Sequence, residues 1–270
     1  MKSHIISGRA VGFVRLCIKE AKADRISIYA AQASFFVITS AIPFLSILFS
    51  LAGILLPHSD VIGQLISAFP EGTAELIGTP NVPLLSISAA AALWTSSRGT
   101  SAVRAGIENV YRADIPEGFI RRRARSVVFT LFFILIIVTS AAVMLFGNHI
   151  AGFFPDRIAE LFSGLRTPFF IVIMTAVFTS VYVSVATRSH SVSRSISAHL
   201  PGAVLSSSGW VVFSLLYSFY IDHFPRASAI YGSLAAVCLI MLWLYFCMVI
   251  LLFGAVFNRI RQRSKSKQRS

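Results

Sequence analysis

The sequence predicts an all-α, polytopic integral membrane protein with six transmembrane helices, cytoplasmic interfacial helices and both termini inside. Three observations predict it. Hydrophobic residues make up 56% of the 270 positions and charged ones 13%, with a mean hydropathy of +0.75. A water-soluble domain has no use for so much apolar surface. The apolar residues also gather in runs that can cross a bilayer, which takes roughly 20 residues. Finally, the basic residues are divided unequally between alternate connecting segments.

Residues 1–31 form a cytoplasmic amphipathic segment. Within 8–30, Ala10, Phe13, Val14, Cys17, Ile18 and Ala21 share one broad helical face, and Arg15, Lys19 and Lys22 share another. Such a helix lies in the membrane interface and turns into the first span near Tyr29. The charged first 30 residues followed by an apolar run of about 25 predict a retained signal anchor and no cleaved leader.

The membrane domain covers residues 32–257, with spans at about 32–56, 82–98, 127–147, 168–187, 200–221 and 230–257. The second span is short and is expected to continue helically into a cytoplasmic segment, 98–125. There Arg104, Glu108 and Arg112 have i,i+4 spacing, and Val103, Ile107, Val110 and Tyr111 make an apolar stripe. The loop after the first span has room for a short interfacial helix around 60–69. Residues 258–270 read as a basic, disordered cytoplasmic tail.

Orientation follows from Lys and Arg. The N-terminal segment, the segment after span two, the loop after span four and the C-terminal tail hold 21 of the 24; the three alternate loops hold 3. By the positive-inside rule both termini are cytoplasmic. The same distribution accounts for the net charge of +13. It predicts membrane lipids as partners, with anionic headgroups at the cytoplasmic face, and no nucleic acid.

The residues offer little for bond-making chemistry. All eleven Asp and Glu lie outside the apolar cores, which argues against a familiar proton- or sodium-coupled pump. The six His are scattered without metal-ligand spacing, so no metal and no cofactor is expected, and no catalytic motif is present. The three Cys read as buried small apolar residues. The chain is expected not to be an enzyme.

What stands out is a set of polar and small-residue faces. In span one Gln32, Thr39, Pro43, Ser46, Ser50, Gly53 and Pro57 recur at helical spacing and fall on one stripe. Pro43 removes an amide donor and frees the carbonyl of Thr39, a bend best tolerated beside a cavity. In span four Thr175, Thr179, Tyr182 and Ala186 share a face. In span five Gly202, Ser206, Gly209, Phe213, Tyr217 and Tyr220 do, and in span six Ser233, Ala236, Ile240, Trp243, Cys247, Gly254 and Asn258. These faces suit helix packing or the lining of a polar cavity.

Three stretches carry a family resemblance. They are "YAAQASFFVITSAIPFLSILFSL", "LWTSSRGTSAVRAGIENVYR" and "YGSLAAVCLIMLWLYFCMVILLFGAVFN", with "LPGAVLSSSGW" beside them. Together they resemble the YihY/virulence factor BrkB family of bacterial inner-membrane proteins, historically mislabelled ribonuclease BN. The motif residues are Pro43, Trp94, Ser97, Arg98, Gly99, Asn109 and Tyr111, then Tyr231, Ser233, Trp243 and Asn258 in the last span. The resemblance implies six membrane helices and a role at the cell envelope. One departure is Val256, where the family usually has Glu.

These observations lead to an expected transporter-like role in handling or exporting an envelope lipid or amphiphile. The alternative is a non-transporting scaffold for envelope machinery. The expected lining or substrate contacts are Gln32, Thr39, Pro43, Ser46, Arg98, Asn109, Tyr111, Ser206, Tyr217, Tyr231, Ser233, Trp243 and Asn258. Arg98 is expected to hold an anionic headgroup at the cytoplasmic end of span two.

Overall fold

A computed structural model describes residues 2–55, 82–113, 156–186, 192–193, 195–223 and 233–267. Among them every element is an α-helix: α1 (Lys2–Ala23), α2 (Ile26–Leu55), α3 (Val82–Tyr111), α4 (Asp156–Ala186), α5 (Ile196–His223) and α6 (Ser233–Lys267). Among the described residues three stretches are long and apolar enough to cross a membrane: Thr167–Ala186, Ile196–His223 and Ala235–Ser266. A shorter apolar helix stretch, Ile26–Ser40, begins α2. The span expected at 127–147 and the short helix expected around 60–69 lie outside the described residues.

The second apolar run continues past Arg98 in one helix, α3, of 30 residues through Tyr111. One element differs from expectation in extent. The basic tail, expected to be disordered from 258, is helical through Lys267. Its Arg, Lys and Gln residues are good helix formers. Asn258, Arg259 and Ile260 are buried against the bundle, which extends the helix beyond the apolar stretch.

α1 and α3 end in the same way. Arg25 and Arg112 each adopt a left-handed conformation with φ of 50°. After Arg112 the amide of Ala113 donates to the Glu108 carbonyl at 3.0 Å, closing the last turn. Arg25 likewise donates to Lys22 at 3.1 Å, and the chain turns into α2.

α2 and α3 pack antiparallel along their length. Positions near Tyr29, Ala33 and Val37 on α2 meet Gly106 and Gly99 on α3 in reverse order. α5 and α6 form a second antiparallel pair, with α4 against α5 and with α6 reaching α1, α2 and α3. The core gathers where these meet, around Ile107, Tyr111, Phe178, Tyr182, Leu252 and Val256. Away from it the outer faces of α5 and α6 expose Val212, Leu215, Leu216, Phe219, Val237 and Ile240. Water would penalise that surface, whereas lipid tails do not.

Candidate functional site

Two polar regions occupy this frame, one buried and one exposed. The buried one begins at the α5–α6 crossing. Gly202 and Gly254 face each other there; a Cβ on either would overlap the opposite helix backbone, Asn258 or Ser206. The contact is closer than side chains allow, as small residues permit in membrane helices. The closeness lets polar side chains reach backbone across the seam. Tyr182 of α4 donates to the Leu251 carbonyl at 2.6 Å and lies 3.0 Å from the Ser206 hydroxyl, which donates to Ile250 at 3.1 Å. Farther along, Tyr217 donates to the Leu239 carbonyl at 2.6 Å, and the Trp243 indole donates to Ser214 at 3.2 Å. Thr175 and Ser207 join α4 to α5 at 2.6 Å.

Toward the end of α6, Asn258 grips the first turns of α5. Its Oδ1 accepts from the Gly202 amide at 2.8 Å and its Nδ2 donates to the His199 carbonyl at 2.9 Å. One turn on, Gln262 accepts from the Ser193 amide and donates to the Ala198 carbonyl. The His199 ring, fully buried, has Nε2 2.7 Å from the Ser193 carbonyl and Nδ1 3.0 Å from the Tyr111 hydroxyl. A carbonyl can only accept, so Nε2 carries the proton and Nδ1 receives the Tyr111 hydrogen.

Beside this seam lies a buried cation. Arg259 is wholly shielded from solvent. Its Nη2 meets Asp24 Oδ2 at 2.6 Å and Glu20 Oε2 at 2.8 Å, and its Nη1 donates to the Val110 carbonyl at 2.6 Å. That carbonyl belongs to the last turn of α3, where carbonyls lack helical partners and the dipole favours positive charge. Arg259 therefore ties the ends of α1 and α3 to α6. The Asn109 amide adds a bond to the Asp24 carbonyl at 2.7 Å.

The exposed region lies on α2 and α3. α2 buries Ala30, Ala33, Ser34 and Ser40. Gly99 of α3 sits against this face, its Cβ position 3.3 Å from Val37 and 3.5 Å from Phe36. Of the stripe expected to face inward, Gln32 and Thr39 are exposed and Pro43 is partly buried. The helix packs through its smallest side chains, which allow the closest approach. The buried hydroxyls of Ser34 and Ser40 bond back to their own helix, so they cost little against an apolar neighbour.

Arg98 is exposed on the same pair of helices. Its guanidinium carbon lies 5.5 Å from the Phe36 ring centroid and 5.7 Å from that of Trp94. Gln32 and Thr39 stand four residues before and three after Phe36, hence on its side of α2. Among the described residues Arg104, Arg259 and Arg263 have ion-pair partners and Arg98 has none. Its place along α3 follows from its neighbours. Gly106 packs on Leu252. The neighbouring Leu251 is bonded to Tyr182, four residues inside the end of the apolar stretch Thr167–Ala186. Arg98 lies eight residues, about 12 Å, beyond Gly106 along α3.

The expected site residues therefore divide. Gln32, Thr39 and Arg98 share the exposed α2–α3 face, with Pro43 partly buried farther along α2. Ser206, Tyr217, Trp243 and Asn258 are joined into the α5–α6 seam, while Asn109 and Tyr111 belong to the clamp beside it. Ser46 and Ser233 lie within helices, but their side chains are outside the described set, as is all of Tyr231. Sequence reasoning missed Arg259, Asp24, Glu20, His199 and Gly106. Glu20 in α1 and Asp24 in the turn just after it are spaced i,i+4, a signal that a single cation could sit across from both. Among the described residues no group of three or more His, Cys, Asp or Glu could hold a metal ion.

Comparison with known proteins gives a family model described as virulence factor BrkB, matched over residues 17–270. A putative ribonuclease-like protein, YfkH, of Bacillus subtilis is 27% identical, over 87% of this chain and 90% of the relative. A UPF0761 membrane protein of Psychromonas ingrahamii is 25% identical, over 88% and 83%. Another from Alteromonas mediterranea is 22% identical, over 89% and 84%. No solved structure matches the chain.

Proposed function

We propose a function from one premise: the chain belongs to the virulence factor BrkB family and is an all-helical membrane protein. It crosses a bacterial inner membrane six times with both termini cytoplasmic, which agrees with the 21 to 3 division of its basic residues. Within that membrane it handles or exports an envelope lipid or amphiphile in a transporter-like way. It is not an enzyme, and the ribonuclease-like wording stays with the Bacillus relative.

One observation carries this reading: the exposed polar face of α2–α3, with Arg98 unpaired among the described residues. Polar groups on membrane helices are expensive unless they meet protein, water or a polar ligand. Those of α4–α6 named above meet protein. Arg98 of α3 has no acidic partner among the described residues, and an anionic amphiphile in transit supplies one.

A second reading has its own support. The polar faces of α4, α5 and α6 are consumed in packing, as a rigid scaffold would require. Gentle purification followed by mass analysis separates the two. A transporter-like protein retains a defined lipid or amphiphile. A scaffold retains protein partners and only bulk lipid, and that result would overturn the first reading.

A further inference from the structure

We propose that the Arg98 face is a binding site for the anionic head of a membrane lipid, entered sideways from the bilayer. The inference rests on the reading above and narrows it to a substrate class and a route.

The depth of Arg98 is the first argument. The polar seam at Tyr182 is already four residues, about 6 Å, inside the end of the apolar stretch of α4, and Arg98 is about 12 Å farther along α3. Together these place the guanidinium on the order of 18 Å from Ala186, more than half the length of an apolar stretch long enough to cross a membrane. An arginine side chain is too short to snorkel out over that distance. A cation there needs an anion or water beside it, and intramembrane ionisable groups mark functional pathways.

The surroundings select the source of the anion. Phe36 and Trp94 flank the guanidinium and leave its edge, with its N–H donors, to a ligand. Trp94 is 53% exposed, and Ile87, two turns before it on the same face of α3, is 68% exposed. They form an apolar track running about 16 Å from Ile87 to Arg98, the shape of an acyl chain leading to its head. Gln32 offers an amide beside the same ring. A soluble anion has no use for that apolar track, whereas a lipid fills it with its tails. The shared chemistry is a phosphate or carboxylate oxygen taken by an arginine fork.

The test uses the full chain in phosphatidylcholine vesicles containing phosphatidylglycerol with brominated acyl chains, which quench nearby tryptophan. The Trp94 signal is the difference between the wild type and Trp94→Phe. Brominated phosphatidylglycerol is expected to quench it at about one tenth the mole fraction needed with brominated phosphatidylcholine, the worth of one charge-assisted contact. Arg98→Gln is expected to abolish the preference, and Arg98→Lys to keep part of it. Millimolar inorganic phosphate is expected to leave it unchanged.

Equal quenching by the two lipids in the wild type would overturn the proposal whether or not a variant folds. Persistence of the preference in Arg98→Gln would overturn it as well. Displacement by inorganic phosphate would reassign the site to a soluble anion and remove the lateral route. The broader reading fails separately, if no defined lipid or amphiphile is retained on purification.

Discussion

Replacing Arg259 tests the clamp that holds the frame. In Arg259→Met the two carboxylates it faces lose their counter-charge, and the Val110 carbonyl loses a donor at 2.6 Å. The Asp24 side chain is only 10% exposed, so water cannot replace what is removed. Removing one partner of a buried ion pair costs about 3–5 kcal/mol. The loss falls on the attachment of α1, since the bonds from α6 to Glu20 and Asp24 are its main polar tie to the bundle. Cys17 reports it directly. The thiol is on the packed face of α1, 2% exposed, and burial raises its pKa, so little reactive thiolate is present at neutral pH. Releasing α1 exposes the thiol and returns its pKa to the ordinary range, and both changes accelerate alkylation. A shift of about 3 kcal/mol moves the opening equilibrium roughly 100-fold. Maleimide labelling in a Cys238→Ser background, which removes the exposed thiol, is expected to rise by 10- to 100-fold. Adding Asp24→Asn should recover part of the protection, because the buried carboxylate no longer needs a cation. Labelling at the wild-type rate in Arg259→Met would refute the clamp.

Three further outcomes follow from the buried seam. Gly254→Leu forces α5 and α6 apart where Gly202, Ser206 and Tyr182 leave no room, and should lower unfolding stability in detergent by at least 1–3 kcal/mol. Asn258→Leu strands the Gly202 amide and the His199 carbonyl, with an expected loss of about 1–3 kcal/mol by the same measurement. His199→Phe removes the acceptor of Tyr111 and the donor to Ser193; adding Tyr111→Phe should cost less than it does in the wild type, giving a coupling of about 0.5–1.5 kcal/mol in a double-mutant cycle.

Much of the frame was legible because membrane insertion and helix packing leave strong periodic marks. The pairing of α5 with α6 could be read from Gly202, Ser206, Gly254 and Asn258, which recur at helical spacing and have no other use in a lipid-facing surface. The stripe on α2 was legible as a stripe but not as a direction. Gln32 and Thr39 mark one face, and Ala30, Ala33 and Ser40 mark another about a third of a turn away. Only the contact with Gly99 decides which of them packs. Arg98 was read as the end of a span because the apolar run stops there, within a helix expected to continue. Hydropathy does not register that Ser97, Ala102 and Arg104, the last paired with Glu108, are buried beyond that point. Arg259 was hidden among the basic residues of the tail, where charge usually means solvent. Its partners lie 235 and 239 positions away, beyond the reach of any local pattern.

The central claim is that a membrane-embedded face of α2–α3 is open and carries the positive field of Arg98. Cysteines placed singly at Gln32, Thr39, Ala33 and Ser40, in a chain with its three native cysteines replaced, measure it in intact membranes. Water-soluble methanethiosulfonates are expected to modify the first two positions and spare the other two. At Thr39→Cys the anionic sulfonate reagent should react several-fold faster than the cationic ammonium reagent, with the ratio falling to that of a free thiol when Arg98→Gln is added. Modification at Ala33 and Ser40 with protection at Gln32 and Thr39, or a charge ratio indifferent to Arg98, would contradict the account.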